Sequence, residues 1–213
     1  MNNIKIIVST ALVDRENIPL SHIDQRLDLS LSKRYEEYEE SLNIIKSFKY
    51  DFIILETVSE FDPFLEKYGN VFYSKVNNSN YRNRGTNYVM ALKKILSTMK
   101  FDDNDLIIHI TGRYPLVDNS FIEYCKEIDK NTIGCFKKDS INQFYLFLYS
   151  LRFKKLKNII DSIDISDMEI NKFNLEKIFS NYLSNDKVEF VERLGIIGKQ
   201  SNSPNNLYGK TIY

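Results

Sequence analysis

The apolar run Asp105-Leu106-Ile107-Ile108-His109-Ile110 ends abruptly in Thr111-Gly112-Arg113-Tyr114-Pro115. A strand-length run closed by turn residues has the pattern of a strand buried on both faces of a sheet. In an open α/β sheet, ligands bind outside the carboxyl ends of such strands. Thr111, Gly112 and Arg113 stand at that end. Glycine lets a backbone approach a ligand closely, and arginine offers a planar fork of donors suited to phosphate. The same types also fit a plain turn and a surface ion pair. A second cluster, Tyr81-Arg82-Asn83-Arg84-Gly85-Thr86-Asn87, precedes a helical pattern. Arg82, Arg84 and Asn87 at a helix N-terminus suit an anion, since free N–H groups and the helix dipole favour negative charge there. A solvated loop with Thr86 as an ordinary cap is the plainer account. The clusters lie on consecutive elements of one sheet, which strengthens both.

The elements that must position these residues alternate regularly. Ile4 to Ser9 reads as a first strand. Leu31, Tyr35, Tyr38, Leu42, Ile45 and Phe48 recur at three- and four-residue steps, the mark of an amphipathic helix. Phe52 to Leu55 is a second strand, closed by Glu56-Thr57. Asp62-Pro63 reads as N-cap and first residue of a short helix, and Val71 to Ser74 as a third strand. Val89, Leu92, Ile95, Leu96 and Met99 form the stripe of the helix that feeds the central strand. Asp118 or Asn119 caps a helix to Ile128, and Thr132 to Phe136 is a strand. Beyond it, Gln143 to Leu151 reads as a strand. Helical patterns follow at Phe153 to Ile163 and Leu175 to Tyr182, then a strand at Val188 to Val191 and an irregular tail from Ser201. Alternation through residues 1–135 implies βαβ crossovers and a mainly parallel sheet flanked by helices, with a mixed α/β second half at 136–213. Without a linker between them, 1–213 reads as one domain.

Composition narrows the function classes. The 213 residues carry 29 basic and 29 acidic side chains, which argues against a general nucleic-acid binder. Cys125 and Cys135 lack metal-ligand or redox spacing and read as core thiols of a reducing compartment. No apolar run is long enough to cross a bilayer, and the N-terminus lacks a signal-peptide pattern, so the expected location is the cytoplasm. His109 reads as a core residue within its strand.

Strand, helix, strand, then Arg82-Asn83-Arg84-Gly85 leading into a helix and a strand, resembles the nucleotide-sugar half of GT-A-fold glycosyltransferases. Arg84-Gly85-Thr86-Asn87 to Leu96 matches that family's helix, and Leu106 to Ile110 its strand ending in a metal-binding Asp-x-Asp. Thr111-Gly112-Arg113-Tyr114 occupies the Asp-x-Asp position, as in small glycosyltransferase-like proteins. Asp103-Asn104-Asp105 satisfies the motif but precedes the strand, at the wrong end of the sheet. The resemblance implies transfer of a sugar from a nucleoside diphosphate sugar to a glycan or other hydroxyl acceptor. It points to Ser9, Thr10, Ala11 and Glu56 for the nucleotide, and to Glu176 as the carboxylate that deprotonates the acceptor, with Asp139, Asp167 and Glu169 competing for the role. Without a carboxylate pair there is no evident hard-oxygen cage. Arg113, helped by Arg82 or Arg84, is then expected to replace the metal, with no cofactor required and manganese or magnesium the open alternative. Lys199, after the glycine-bearing segment Leu194 to Gly198, is a further phosphate candidate. Sugar-phosphate nucleotidyl transfer and a non-catalytic protein of the same fold are the alternatives.

Overall fold

A computed structural model describes residues 1–12, 31–76, 84–138, 143–171, 174–198 and 211–212. The apolar runs form the expected central strands β1 (Ile4–Thr10), β2 (Phe52–Glu56), β3 (Val71–Tyr73) and β4 (Leu106–Thr111), all mutually parallel. Among the described residues the connection from β5 (Gly134–Phe136) to β6 (Leu148–Arg152) holds no crossover helix, and β6 returns antiparallel to β5 and β4. Last in the sheet, β7 (Val188–Phe190) lies parallel to β5. The seven strands are ordered β3-β2-β1-β4-β6-β5-β7, a mostly parallel α/β sheet. Outside it, β8 (Ile197–Gly198) pairs antiparallel with β9 (Thr211–Ile212).

Helices cover both faces. On one side α1 (Leu31–Ser47) and α4 (Ser120–Glu127) bury Leu42, Ile45 and Ile122 against Ile6, Val8, Ile108 and Ile110. The short α2 (Pro63–Glu66), capped by Asp62 as expected, adds Leu65 to this group. On the other side α3 (Arg84–Thr98), α5 (Phe153–Ser162), α6 (Ile165–Asn171) and α7 (Leu175–Tyr182) bury Leu92, Ile95, Ile160 and Phe179 against Ile7, Leu55 and Ile107. Each such side chain contributes about 1.5–3 kcal/mol of burial energy. Cys125 on α4 and Cys135 on β5 are both fully buried, and the Cys125 thiol donates to Ser150 Oγ at 3.4 Å.

Two elements depart from expectation. The chain forms α6 where no helix is expected, because Met168 is its one buried anchor and leaves no apolar period to read. Thr211 and Ile212 form β9 within a tail expected to be irregular, since pairing with β8 is a long-range contact.

The strand directions decide where the helices begin. Both α3 and α7 lead into strands parallel to β1, so each runs back across the sheet and starts at its carboxyl edge. The amino edge is closed instead. There Asp105, at 2% exposure, accepts from Asn3 Nδ2 and the Asp102 N–H. Beside it Arg152 donates to the carbonyls of Thr132 and Asn104 and to Asn2 Oδ1.

Candidate active site

At the ends of β1 and β2 a carboxylate does structural work. Glu56 is wholly buried and accepts from Thr10 Oγ1 at 2.6 Å, from Leu12 N at 3.1 Å, and from Val58 and Ser59 N at 2.8 and 3.0 Å. Oε1 takes the three backbone donors and Oε2 the Thr10 hydroxyl. These bonds tie Glu56 to Thr10, itself 2% exposed. Both shape the edge. Ala11 is held on both sides: its N–H donates to the Tyr38 hydroxyl at 2.8 Å, and its carbonyl accepts from that hydroxyl at 3.2 Å.

Gly112 also proves internal. Its N–H donates to the Ser9 carbonyl at 2.8 Å. A Cβ there would stand 2.9 Å from that carbonyl and 3.1 Å from Thr10 Cγ2 and Val8 Cγ1. The glycine lets the turn pack closely on β1. Thr111, its neighbour, is half-buried at the strand end.

The chain then turns out at Arg113, which faces α1. Its Nη2 donates to the Tyr114 hydroxyl at 2.6 Å, and its Cζ lies 4.7 Å from the Tyr114 ring centre. Burial alone would lower the Arg113 pKa, but Tyr114, then Tyr38 and Glu37, outweigh it and keep the group charged. Burial likewise pushes Tyr38 up to about 12, against the opposing charge of Arg34. Arg34, in the opening turn of α1, is 6% exposed and donates through Nη1 to Glu37 Oε2 at 2.9 Å. Among the described residues its Nε has no acceptor. The sequence reading missed Arg34. A signal exists, for Arg34, Tyr38, Ser41, Leu42 and Ile45 form one buried helical stripe with a cation in line.

On the opposite face, α3 and α7 bring up other groups. Ser9 Oγ pairs with His109 Nε2 at 2.9 Å, and the His109 ring lies between Tyr88 and Tyr149 at 5.0 and 5.1 Å. The Tyr88 and Tyr149 hydroxyls meet at 3.0 Å. Burial raises the Tyr88 pKa well above its ordinary value, with further contributions from Tyr149 and from the Glu176 charge. Glu176 lies in the first turn of α7. Its N–H donates to Asn174 Oδ1 at 2.7 Å, in a cap that fixes the start of α7. Thr86 does not cap α3; its hydroxyl donates to Glu169 on α6. Asn87 is half-buried in the first turn of α3.

Arg84 opens α3, while Arg82, Asp139 and Lys199 lie outside the described residues. The segment before Lys199 is stitched alongside the residues that follow Tyr114. Val117 N donates to Gly195 O at 2.7 Å and Ile197 N to Pro115 O at 2.9 Å. Ser9, Arg113, Asn87 and Glu176 thus share the carboxyl edge, with Arg113 on its α1 side and Glu176 on its α3 side. The residues closing β4 do not fit a divalent cation. They offer no carboxylate, and among the described residues no three His, Cys, Asp or Glu side chains gather as a metal site.

No protein-family model and no curated protein sequence matches this chain. Solved structures do match it. A 4-diphosphocytidyl-2C-methyl-D-erythritol synthase from Anaerococcus prevotii aligns at 14% identity and a TM-score of 0.51, covering 95% of this chain and 91% of that one. A cytidylyltransferase from Leptospira borgpetersenii aligns at 13% and 0.53, covering 90% and 76%. A protein named as a nucleotide-diphospho-sugar transferase, from Desulfovibrio desulfuricans, aligns at 10% and 0.54, covering 90% and 80%. At such identities the likeness is one of fold. The chain has the GT-A-like fold of nucleotide-sugar transferases, which cytidylyltransferases share. No described helix is long and apolar enough to cross a membrane.

Proposed function

We propose that this chain transfers a sugar from a nucleoside diphosphate sugar to a hydroxyl acceptor without a metal. The observation that carries the reading is Arg113, a charged and half-buried group at the end of β4 with no carboxylate ion pair among the described residues. The acceptor oxygen attacks the sugar carbon as the bond to the diphosphate breaks. Arg113 stabilises the charge left on the diphosphate. Glu176 takes the acceptor proton. Its position in the first turn of α7, which starts at the carboxyl edge, supports this role.

Nucleotidyl transfer fits less well. That activity usually brings a glycine-rich loop with a basic residue after the first strand, and no glycine precedes Gly69 here. The N–H groups of Ala11 and Leu12 are also already bonded, to Tyr38 and Glu56.

The test is turnover of a panel of nucleoside diphosphate sugars in chelator, with Arg113→Met and Glu176→Gln alongside wild type. Chelator should leave turnover intact, and each substitution should lower kcat by about a hundredfold or more. Activity lost in chelator and restored by manganese would overturn the arginine role. Pyrophosphate released from a nucleoside triphosphate and a sugar phosphate would overturn glycosyl transfer.

A further inference from the structure

The outer ends of β1 and β4 carry two hydroxyls side by side. Ser9 and Thr111 are register partners on these neighbouring parallel strands, whose backbones run about 4.8 Å apart. Side chains two apart along a strand share a face. Ile7 and Ile107 pack on the α3 side, so Ser9 and Thr111 point to that side as well. Both are half-buried. Two residues further in, His109 is the register partner of Ile7, and its Nε2 meets Ser9 Oγ at 2.9 Å. The imidazole is held in place between the rings of Tyr88 and Tyr149, whose hydroxyls bond to each other. Thr111 gives its N–H to the Phe147 carbonyl and takes the Tyr114 N–H on its own carbonyl. Its hydroxyl has no hydrogen-bond partner among the described residues and is not enclosed.

The inventory of these groups says what they can hold. A neutral imidazole carries one proton, and burial keeps His109 neutral. With that proton on Nε2, the ring donates to Ser9, which keeps its own proton and one lone pair. With it on Nδ1, Ser9 donates to the ring and keeps two lone pairs. Ser9 retains an acceptor in both cases, and Thr111 offers a donor and acceptors. A ligand hydroxyl, which donates and accepts, is served in either state, whereas a phosphate oxygen only accepts. Two such positions on adjacent strands suit two neighbouring hydroxyls of one ring. Arg113 stands two residues beyond Thr111. In a nucleoside diphosphate sugar, a diphosphate held there has a sugar ring on each side, the ribose and the sugar to be transferred.

We propose that Ser9 and Thr111 bind a vicinal diol of the donor substrate, with His109 as the positioning residue that fixes the Ser9 hydroxyl. Placing the diphosphate at Arg113, and so a sugar ring at the hydroxyl pair, rests on the transferase reading. The ribose and the transferred sugar both carry the recognised chemistry.

Calorimetric titration of the full chain with ribonucleoside diphosphates, their 2′-deoxy counterparts and a panel of nucleoside diphosphate sugars tests it. The variants are Ser9→Ala, Thr111→Val, His109→Phe and the double variant Ser9→Ala with His109→Phe; His109→Met stands in if His109→Phe does not melt cooperatively. Wild type should bind a ribonucleoside diphosphate about fivefold or more tightly than its 2′-deoxy counterpart, and Ser9→Ala and Thr111→Val should each bring that ratio toward one. If the diol is that of the transferred sugar, the ratio is one in wild type. The variants then lose the extra affinity of the nucleoside diphosphate sugar over its nucleoside diphosphate. In whichever ratio responds, His109→Phe should match Ser9→Ala and add nothing to it in the double variant, since a positioning group acts only through the group it holds. A further loss there overturns the role of His109. Folded serine and threonine variants that bind every compound as wild type does overturn the diol site and leave the transferase reading standing. Losses that follow the base and ignore the sugar hydroxyls overturn it too. A ribose-dependent ratio without binding of any nucleoside diphosphate sugar keeps the diol site and overturns the transferase reading. Binding of none of these compounds to wild type overturns both.

Discussion

Clamped between the rings of Tyr88 and Tyr149, His109 is 1% exposed, and burial lowers its pKa to about 3. The Leu146 carbonyl opposes that shift, although Nδ1 makes no well-formed hydrogen bond. An unfolded histidine titrates near 6.5, so between these values the unfolded chain holds a proton that the folded chain rejects. Stability is therefore fully present above pH 6.5 and falls as the pH drops toward 3. From pH 6.5 to 5 this one group removes about 2 kcal/mol. Urea unfolding at the two pH values should show that drop in wild type, and His109→Gln should abolish most of it. An equal drop in both proteins would place the acid sensitivity elsewhere. Residue type alone pointed correctly to His109 as a core group. For Glu56 and Gly112 it left two readings open, because a carboxylate and a glycine at strand ends read alike whether they face a ligand or the neighbouring strand. Only the hydrogen bonds of Glu56 and the approach of Ser9 to Gly112 separate the two.

At the scale of elements, α1 holds the end of β1 through a single hydroxyl. Tyr38→Phe removes both bonds to Ala11 and should cost about 1–2 kcal/mol in urea unfolding. The Ala11 amide should also exchange faster with deuterium. Unchanged exchange would mean that the β1 end is held by Glu56 alone. The strands of the first half and helices α1 and α3 were legible because burial writes a period of two or 3.6, or a solid apolar run, into the chain. The charged member of the α1 stripe escaped, since periodicity counts apolar residues and Arg34 lies among them as a cation. The direction of β6, the helix α6 and the pairing of β9 escaped for another reason. Each depends on a partner far along the chain, which no local pattern records.

Across the whole molecule the two halves of the chain interleave. Strand β6, from beyond residue 136, lies between β4 and β5, both from before it. Neither half can leave without breaking the pairing of the other, so the sheet should open as a unit. The two buried thiols give that unity a readout. The Cys125 thiol reaches Ser150 and the neighbouring thiol, which with burial drives the Cys135 pKa far up. A thiolate-directed reagent finds no target in the folded protein. In excess reagent both cysteines should label with one rate constant, independent of reagent concentration and equal to that of global unfolding. Two distinct rates would show that α4, which carries Cys125, detaches before β5 does. The pair is thus a built-in clock, and its ticking measures how long the native state persists.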